Sequence, residues 1–551
     1  MNNKTLRLLL ILTLAAPLMG MHAWACTNLI VGKKASRDGS VIVTYSCDDY
    51  GAYGFMNFLP GGKHAKGTMR PIYHYESNNY LGEIPEAEET YTVVGLMNEH
   101  QLTIHETTFG GREELTDTIT GLLDYGSLMY VTLQRARTAR EAIKVLTDLA
   151  NTYGYESEGE SFTLADPNEV WVMDLIGKGP GRKGVVWVAV RIPDDCISGH
   201  ANHSRIHQFP LKDKDNCLYS KDVISFAREK GYFSGKDKDF SFADAYAPAD
   251  FGALRFCEAR VWSFFNRWAA DDMSAYLSYA EGDTKAAPMP LYVKPKQPLS
   301  LQDVKDMMRD HYEGTPLALD SDLGQGPWEM PYRPTPLSFE VDGKKYFNER
   351  PISTQQTANV YVSQMRSWLP DHIGGVIWFG NDDTNMVPLT PVYCSSLYVP
   401  ECYAAGTADC FTFSTRSAYW VQNWVSNMVY PRYSALFPEV KSTRDRLEKD
   451  YTSLQAETEE KAKSMTHDEA HSAIFQCLQG SRTAQSMLYE WNQLAQTLIV
   501  KYNDMSVKRT NEQGQYEKTP GGNQRPVLRP GYPDAYRHQI IKQTGDRFLN
   551  K

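Results

Sequence analysis

Several familiar signatures are missing from these 551 residues. There is no C-x-x-C pair, which removes the ordinary zinc knuckle and argues against a structural metal. There is no H-E-x-x-H helix: His203 and His207, like His467 and His471, stand four apart as zinc ligands on one helical face could, but neither pair has the glutamate form. The G-x-S-x-G elbow of many serine hydrolases is also absent. Positive charge is in short supply, 57 Lys and Arg against 67 Asp and Glu for a net −10, a balance that disfavours nucleic acid as a partner. After the first 25 residues no apolar run nears the roughly 20 residues a membrane-spanning helix needs. The nine cysteines are odd in number, so an oxidising compartment would leave at least one thiol without an internal partner; which others pair is open.

What is present begins with an address. Lys4 and Arg7 precede the apolar stretch Leu8 to Leu18, and Ala23-Trp24-Ala25 forms a small-x-small cleavage site. Residues 1–25 therefore read as a signal peptide, and export to the periplasm or beyond the cell is expected. Its removal makes Cys26 the first residue and takes the net charge from −10 to −12, because Lys4 and Arg7 leave with it. The alternative is an outer-surface lipoprotein acylated at Cys26, against which the bulky Trp24 just before the site argues.

The first third reads as antiparallel strands interleaved with helix. Asn28 to Val31 and Val41 to Thr44 flank the turn signal Asp38-Gly39. Thr92 to Met97 and Leu102 to His105 flank Asn98-Glu99-His100, and Phe162 to Ala165 and Val170 to Met173 flank Asp166-Pro167-Asn168-Glu169. Thr138 to Glu141 is a capping box opening a helix with Ile143, Leu146, Leu149 and Ala150 on one face. From Glu439 to Tyr502 the chain turns helical, first as a charged, solvated helix. A second capping box, Thr466 to Glu469, then opens a long helix carrying Ile474, Cys477, Leu478, Leu488, Trp491, Leu494 and Leu498. The resulting divisions are 26–438 as a main domain, 439–504 as a helical extension packed on it, and 505–551 as a polar tail.

Cleavage before Cys26 would give one residue both a thiol and a free α-amine. With an intrinsic pKa of about 7.7 to 8.0 the amine is partly unprotonated near neutrality and can serve as general base for its own thiol. The bland reading is an ordinary cysteine that happens to follow a cleavage site. The surrounding run, Cys26-Thr27-Asn28-Leu29-Ile30-Val31-Gly32-Lys33-Lys34-Ala35-Ser36-Arg37-Asp38-Gly39-Ser40, resembles the amino terminus of the secreted dipeptidases among the N-terminal-nucleophile (Ntn) hydrolases, relatives of bile-salt hydrolases and penicillin V acylases. The resemblance continues through Gly95 to His100, Ala165 to Trp171, Ala201-Asn202-His203, Gln356 to Asn359 and Leu369 to Trp378, to about residue 440.

That resemblance implies an α+β fold, an αββα four-layer sandwich with added C-terminal helices, and hydrolysis of short peptides, dipeptides above all, without a cofactor. It further implies that Asp48 contacts the nucleophile, that Asn98 and Asn202 stabilise the oxyanion, and that Arg260 completes the site; Asn98 reads equally well as a turn residue. Tyr45 stands where the relatives carry an arginine, so a cation that would acidify the thiol is missing there, although a tyrosine hydroxyl can donate a hydrogen bond. An acyl-amide hydrolase of bile-salt or penicillin type, and a noncatalytic surface lipoprotein or binding protein, are the alternatives. A homo-oligomer stays open.

Overall fold

The computed structural model describes residues 25–474, 482–522 and 526–550, so residues 1–24 of the leader, Cys477 and Leu478 lie outside the described residues. Gly39, at φ +86°, makes the tight turn that only glycine adopts freely and joins β1 (Ala25–Val31) to β2 (Val41–Asp48). The expected hairpin forms with Val31 opposite Ile42 and Ile30 opposite Val43, and pairing extends outward to Cys26 opposite Cys47 and Ala25 opposite Asp48. The second hairpin departs from expectation. Gly95 takes φ +57° and breaks the run from Thr92 to Met97, so that Val93–Val94 folds back onto Met97–Asn98. Thr103 then pairs with Met97, and β3 (Thr103–Gly110) runs well past the expected end at His105. The third hairpin is as read, with Ala165 of β4 (Gly159–Ala165) opposite Val170.

Seven strands form one antiparallel sheet in the order Tyr292–Val293, Ile197–His200, β1, β2, β5 (Thr357–Met365), Val376–Asn381 and Thr390–Tyr393. Eight form the other: Cys217–Tyr219, Val185–Ile192, Val170–Gly177, β4, β3, Met97–Asn98, Val93–Val94 and Phe58–Leu59. Polar clasps join the sheets where β1 and β2 meet β3. Asn28 Nδ2 donates to the Glu106 carbonyl at 2.8 Å, and His105 Nδ1 lies 3.1 Å from the Thr44 carbonyl. His200 stands between Thr107 and Thr163, 2.7 Å from each hydroxyl. Burial pulls both imidazoles from 6.5 to about 3, so they are neutral.

Helices cover both sheets, giving an α+β protein. α1 (Ala139–Tyr153) starts as expected, with Thr138 accepting from the Glu141 amide, although the Glu141 carboxylate reaches back to the Arg137 amide rather than to Thr138. Its buried face, with Ile143, Leu146, Leu149 and Ala150, rests on β4 and on Val185–Ile192. α2 (Ala259–Trp268) lies against β1 and Ile197–His200.

Two features of the C-terminal helices differ from the sequence reading. The charged helix α3 (Tyr433–Ala462) is bound to the body by its charges: Arg309 and the Leu389 amide, at 2.5 and 2.8 Å, hold buried Glu448, and Arg366 grips Glu459 at 2.7 Å. Charge patterning alone cannot separate a solvated face from one that meets buried counter-charges. The second capping box does open α4 (His467–Ile474), but Trp491, Leu494 and Leu498 belong to a separate helix, α5 (Ala484–Tyr502), preceded by a turn at 482–483. The polar tail also carries a helix, Asp534–Thr544, with no buried residue.

The two neutral histidines predict a pH response. Each has a folded-state pKa far below its unfolded value, so its contribution is complete above about pH 6.5 and is lost as the pH falls toward 3. Melting temperature should fall over that interval, and replacing both residues (His105→Gln with His200→Gln) should flatten the slope; an unchanged slope in the double variant would contradict the assignment.

Candidate active site

Cys26 lies near the start of β1, at 3% exposure, with its backbone gripped from one side and its thiol pointing to the other. The grip comes from Arg260, placed on α2 immediately after a stretch of π-helix, Ala253–Glu258. Its guanidinium donates to the Cys26 carbonyl at 2.6 Å, the Thr27 hydroxyl at 2.8 Å, the Ala201 carbonyl at 2.9 Å and Asn202 Oδ1 at 3.1 Å, while Nε donates to Phe256 O at 2.7 Å. Burial among these oxygens, with Arg350 nearby, lowers it to about 10, still cationic at neutral pH. Asn202 follows the strand Ile197–His200 in a left-handed conformation, φ +63°, which asparagine tolerates better than most residues. Its Oδ1 accepts from the Cys26 nitrogen at 2.8 Å and its Nδ2 donates to Thr108 O at 2.9 Å. The loop is held by Arg205, which pairs with Glu258 through both carboxylate oxygens at 2.9 and 3.1 Å.

On the inter-sheet side the thiol meets a different set. Its sulfur is 3.7 Å from the Tyr45 hydroxyl and 3.6 Å from Glu106 Oε1, and Tyr45 donates to that same Oε1 at 2.6 Å. The tyrosine in the arginine's place thus spends its proton on Glu106 rather than on the sulfur. Cys47, directly opposite Cys26, shares a hydrogen bond with it; that bond, burial and the Glu106 charge hold the Cys26 thiol well above its ordinary range. Beside Glu106 stands Glu160, one strand over on β4, whose Oε2 accepts from Thr108 at 3.0 Å. Burial raises both carboxyls, Glu160 far more.

Of the residues singled out from sequence, Cys26, Asn202 and Arg260 meet within hydrogen-bond reach. Asp48 sits one position along, opposite Ala25, with Arg350 at 2.5 Å and Thr357 at 2.6 Å on its two oxygens; no hydrogen bond joins it to the Cys26 thiol. Asn98 is elsewhere. Its Nδ2 donates to the Leu133 and Ala136 carbonyls at 2.7 and 2.8 Å and its Oδ1 accepts from the His100 and Leu102 amides, so the side chain serves the turn. His203 and His207 lie in irregular chain, not on a helix. Glu106 and Glu160 were missed. The expected strand stopped one residue before Glu106, and polar residues inside a strand look like solvent-facing ones until a second sheet covers them.

All eight described cysteines are free, and among the described residues no three or more His, Cys, Asp or Glu side chains are grouped to hold a metal ion. No helix among them is long and apolar enough to cross a membrane.

The pattern that defines peptidase family C69 matches this chain over residues 25–58 and 53–446, and the chain belongs to that family; it is a hydrolase acting on peptide bonds. The chain is similar to a probable dipeptidase of Latilactobacillus sakei, 24% identical over 75% of this chain and 82% of the relative. It is also similar to a probable dipeptidase of Salmonella dublin, 27% identical over 69% and 84%, and to probable dipeptidase B of Lactococcus lactis, 24% identical over 76% and 84%.

The five Arg260 bonds carry a prediction. Arg260→Met leaves buried carbonyls without donors and should cost about 3 kcal/mol or more of unfolding free energy, and Arg260→Lys, with three donors, should recover only part. Denaturant unfolding checks this; a loss within about 0.5 kcal/mol for the methionine variant would show that the guanidinium does not hold the strand.

Proposed function

We propose that this chain is an exported cysteine-type dipeptidase of the Ntn-hydrolase kind, in which removal of residues 1–25 makes Cys26 both nucleophile and base, and that its two facing sheets with their covering helices are the αββα sandwich of that superfamily. The observation that carries the reading is the setting of the Cys26 nitrogen. It already donates to Asn202 Oδ1 at 2.8 Å, and Asp48 stands opposite Ala25, the residue whose loss would create the new terminus. An amine released there would be born between an amide oxygen and a carboxylate, both of which favour its protonated form after it takes the thiol proton. Strand pairing and the Arg260 grip would hold a chain end that would otherwise fray.

In the reaction the amine takes the thiol proton, and the sulfur bonds to the peptide carbonyl carbon as the carbonyl electron pair moves to oxygen. Collapse breaks the C–N bond, and the leaving amine takes the proton held by the α-ammonium, leaving a thioester. Water, deprotonated by the same amine, then adds to the thioester; the C–S bond breaks, the acid leaves and the thiol is restored. The high thiol pKa of the uncleaved chain fits this order, because a sulfur beside Glu106 and Cys47 stays protonated until a cation is made next to it. Names of relatives such as probable dipeptidase support dipeptides as the substrate class.

Cys26→Ala should abolish dipeptide hydrolysis with the melting temperature within a few degrees of wild type; residual turnover above about 1% would remove the thiol from the mechanism. On a substrate panel, unblocked dipeptides should be cleaved at least tenfold faster than conjugated bile salts, and the reverse order would favour an acyl-amide hydrolase.

A further inference from the structure

The wall facing the Cys26 thiol has more hydrogen-bond acceptors than donors. Glu106 Oε2 and Glu160 Oε1 have no hydrogen-bond partner, and both side chains are buried, at 1% and 0% exposure. Asn28, two residues along β1 and so on the same strand face as Cys26, is fully buried; its Nδ2 is spent on the Glu106 carbonyl and its Oδ1 has no partner. A buried acceptor without a donor keeps the full cost of its lost hydration, and a buried negative charge without a cation costs more. Tyr45 aims one hydroxyl at Glu106 Oε1 and Thr108 another at Glu160 Oε2, and neither reaches the two unpartnered oxygens.

We propose that Glu106, backed by Glu160 and Asn28, is the site that receives the free α-ammonium of the substrate, and that it selects peptides with an unblocked amino terminus. The inference rests on Cys26 being the attacking group. In an α-amino acid the nitrogen lies about 2.5 Å from the carbonyl carbon, from the standard N–Cα and Cα–C lengths and the angle between them. A carbonyl poised for attack sits about 3–3.5 Å from sulfur, and an ammonium hydrogen bond to a carboxylate is about 2.8 Å long. With Glu106 Oε1 at 3.6 Å from the Cys26 sulfur, these lengths close a four-sided figure: sulfur, carbonyl carbon, ammonium nitrogen, carboxylate oxygen. The ammonium brings three donors to a wall short of donors. Its positive charge also opposes the Glu106 field that raises the Cys26 thiol, so the correct substrate helps to ionise the nucleophile that attacks it. An N-acyl amino acid or a bile-salt conjugate has no such cation beside its scissile carbonyl, and would leave the buried charge uncompensated.

The test compares two activated esters that differ only in this group, the p-nitrophenyl esters of alanine and of propionic acid, with the mature wild-type enzyme, Glu106→Gln and Glu160→Gln. The wild type should favour the alanine ester by at least 100-fold in kcat/KM after subtraction of the enzyme-free rate. Glu106→Gln should cut that ratio at least 30-fold, through KM as well as kcat, and Glu160→Gln by a smaller factor. Two results would overturn the proposal. One is a wild-type ratio near unity, which needs no variant to fold. The other is a Glu106→Gln enzyme in which both esters slow alike and the ratio stands, which would make Glu106 a partner of the thiol or of the fold. Cys26→Ala in parallel keeps the two questions apart, because ester turnover surviving in that variant would overturn the nucleophile assignment whatever the ratio shows.

Discussion

One buried cation organises the region on which the chemistry depends. Arg260 ties the carbonyl of Cys26, the hydroxyl of Thr27, the carbonyl of Ala201 and the amide of Asn202 into a single cluster, joining the beginning of the first strand to a loop that is 176 residues away along the chain. A guanidinium suits this task because its donors form a planar fork that can satisfy several carbonyls at fixed angles, whereas an ammonium is a point charge on a flexible stem. The ion pair of Arg205 with Glu258 braces the same loop against the segment leading into the helix that carries Arg260. Position and orientation at the strand's start are therefore set by buried contacts on several elements.

The two faces of β1 are chemically distinct. On one, Arg260, Asn202 and the Asp48–Arg350 pair surround the Cys26 backbone with groups that hold a charge or a proton. On the other, between the sheets, the sulfur meets Tyr45, Cys47 and Glu106, where the Cys47 hydrogen bond, burial and the Glu106 charge resist ionisation. Alternation of side chains along a strand is what permits this separation, since neighbouring residues point to opposite sides. In the proposed mechanism, a nucleophile held neutral until a positive charge appears nearby would be protected from stray reaction, and both a new amino terminus and a substrate ammonium would be such charges.

Much of the fold was legible. The Asp38-Gly39 turn, the hairpin around Asp166 to Glu169, the Thr138 cap and the capping box at Thr466 depend on local chemistry that short stretches of sequence display. Gly95 was the local exception, a glycine inside an apolar run whose left-handed backbone converts an expected strand into a turn. The charged surface of α3 misled for a different reason: its partners Arg309 and Arg366 are more than 90 residues away along the chain. At the site, Cys26, Asn202 and Arg260 could be named because cleavage-site logic and family likeness pointed to them, and the structure brings them together. Asn98 was named by likeness but is occupied by its own turn, while Glu106 and Glu160 became visible only when the second sheet was laid over the first.

The central claim is that catalysis runs through a sulfur on the first residue of the processed chain. The most direct measurement is mass spectrometry of the active enzyme, acid-quenched during turnover of a dipeptide substrate and mapped by proteolysis. The account predicts a species that begins at Cys26 and carries the substrate's acyl group on that residue's sulfur, with its own α-amine unmodified. Active protein that retains Ala25, or an acyl adduct confined to any other residue, would contradict it.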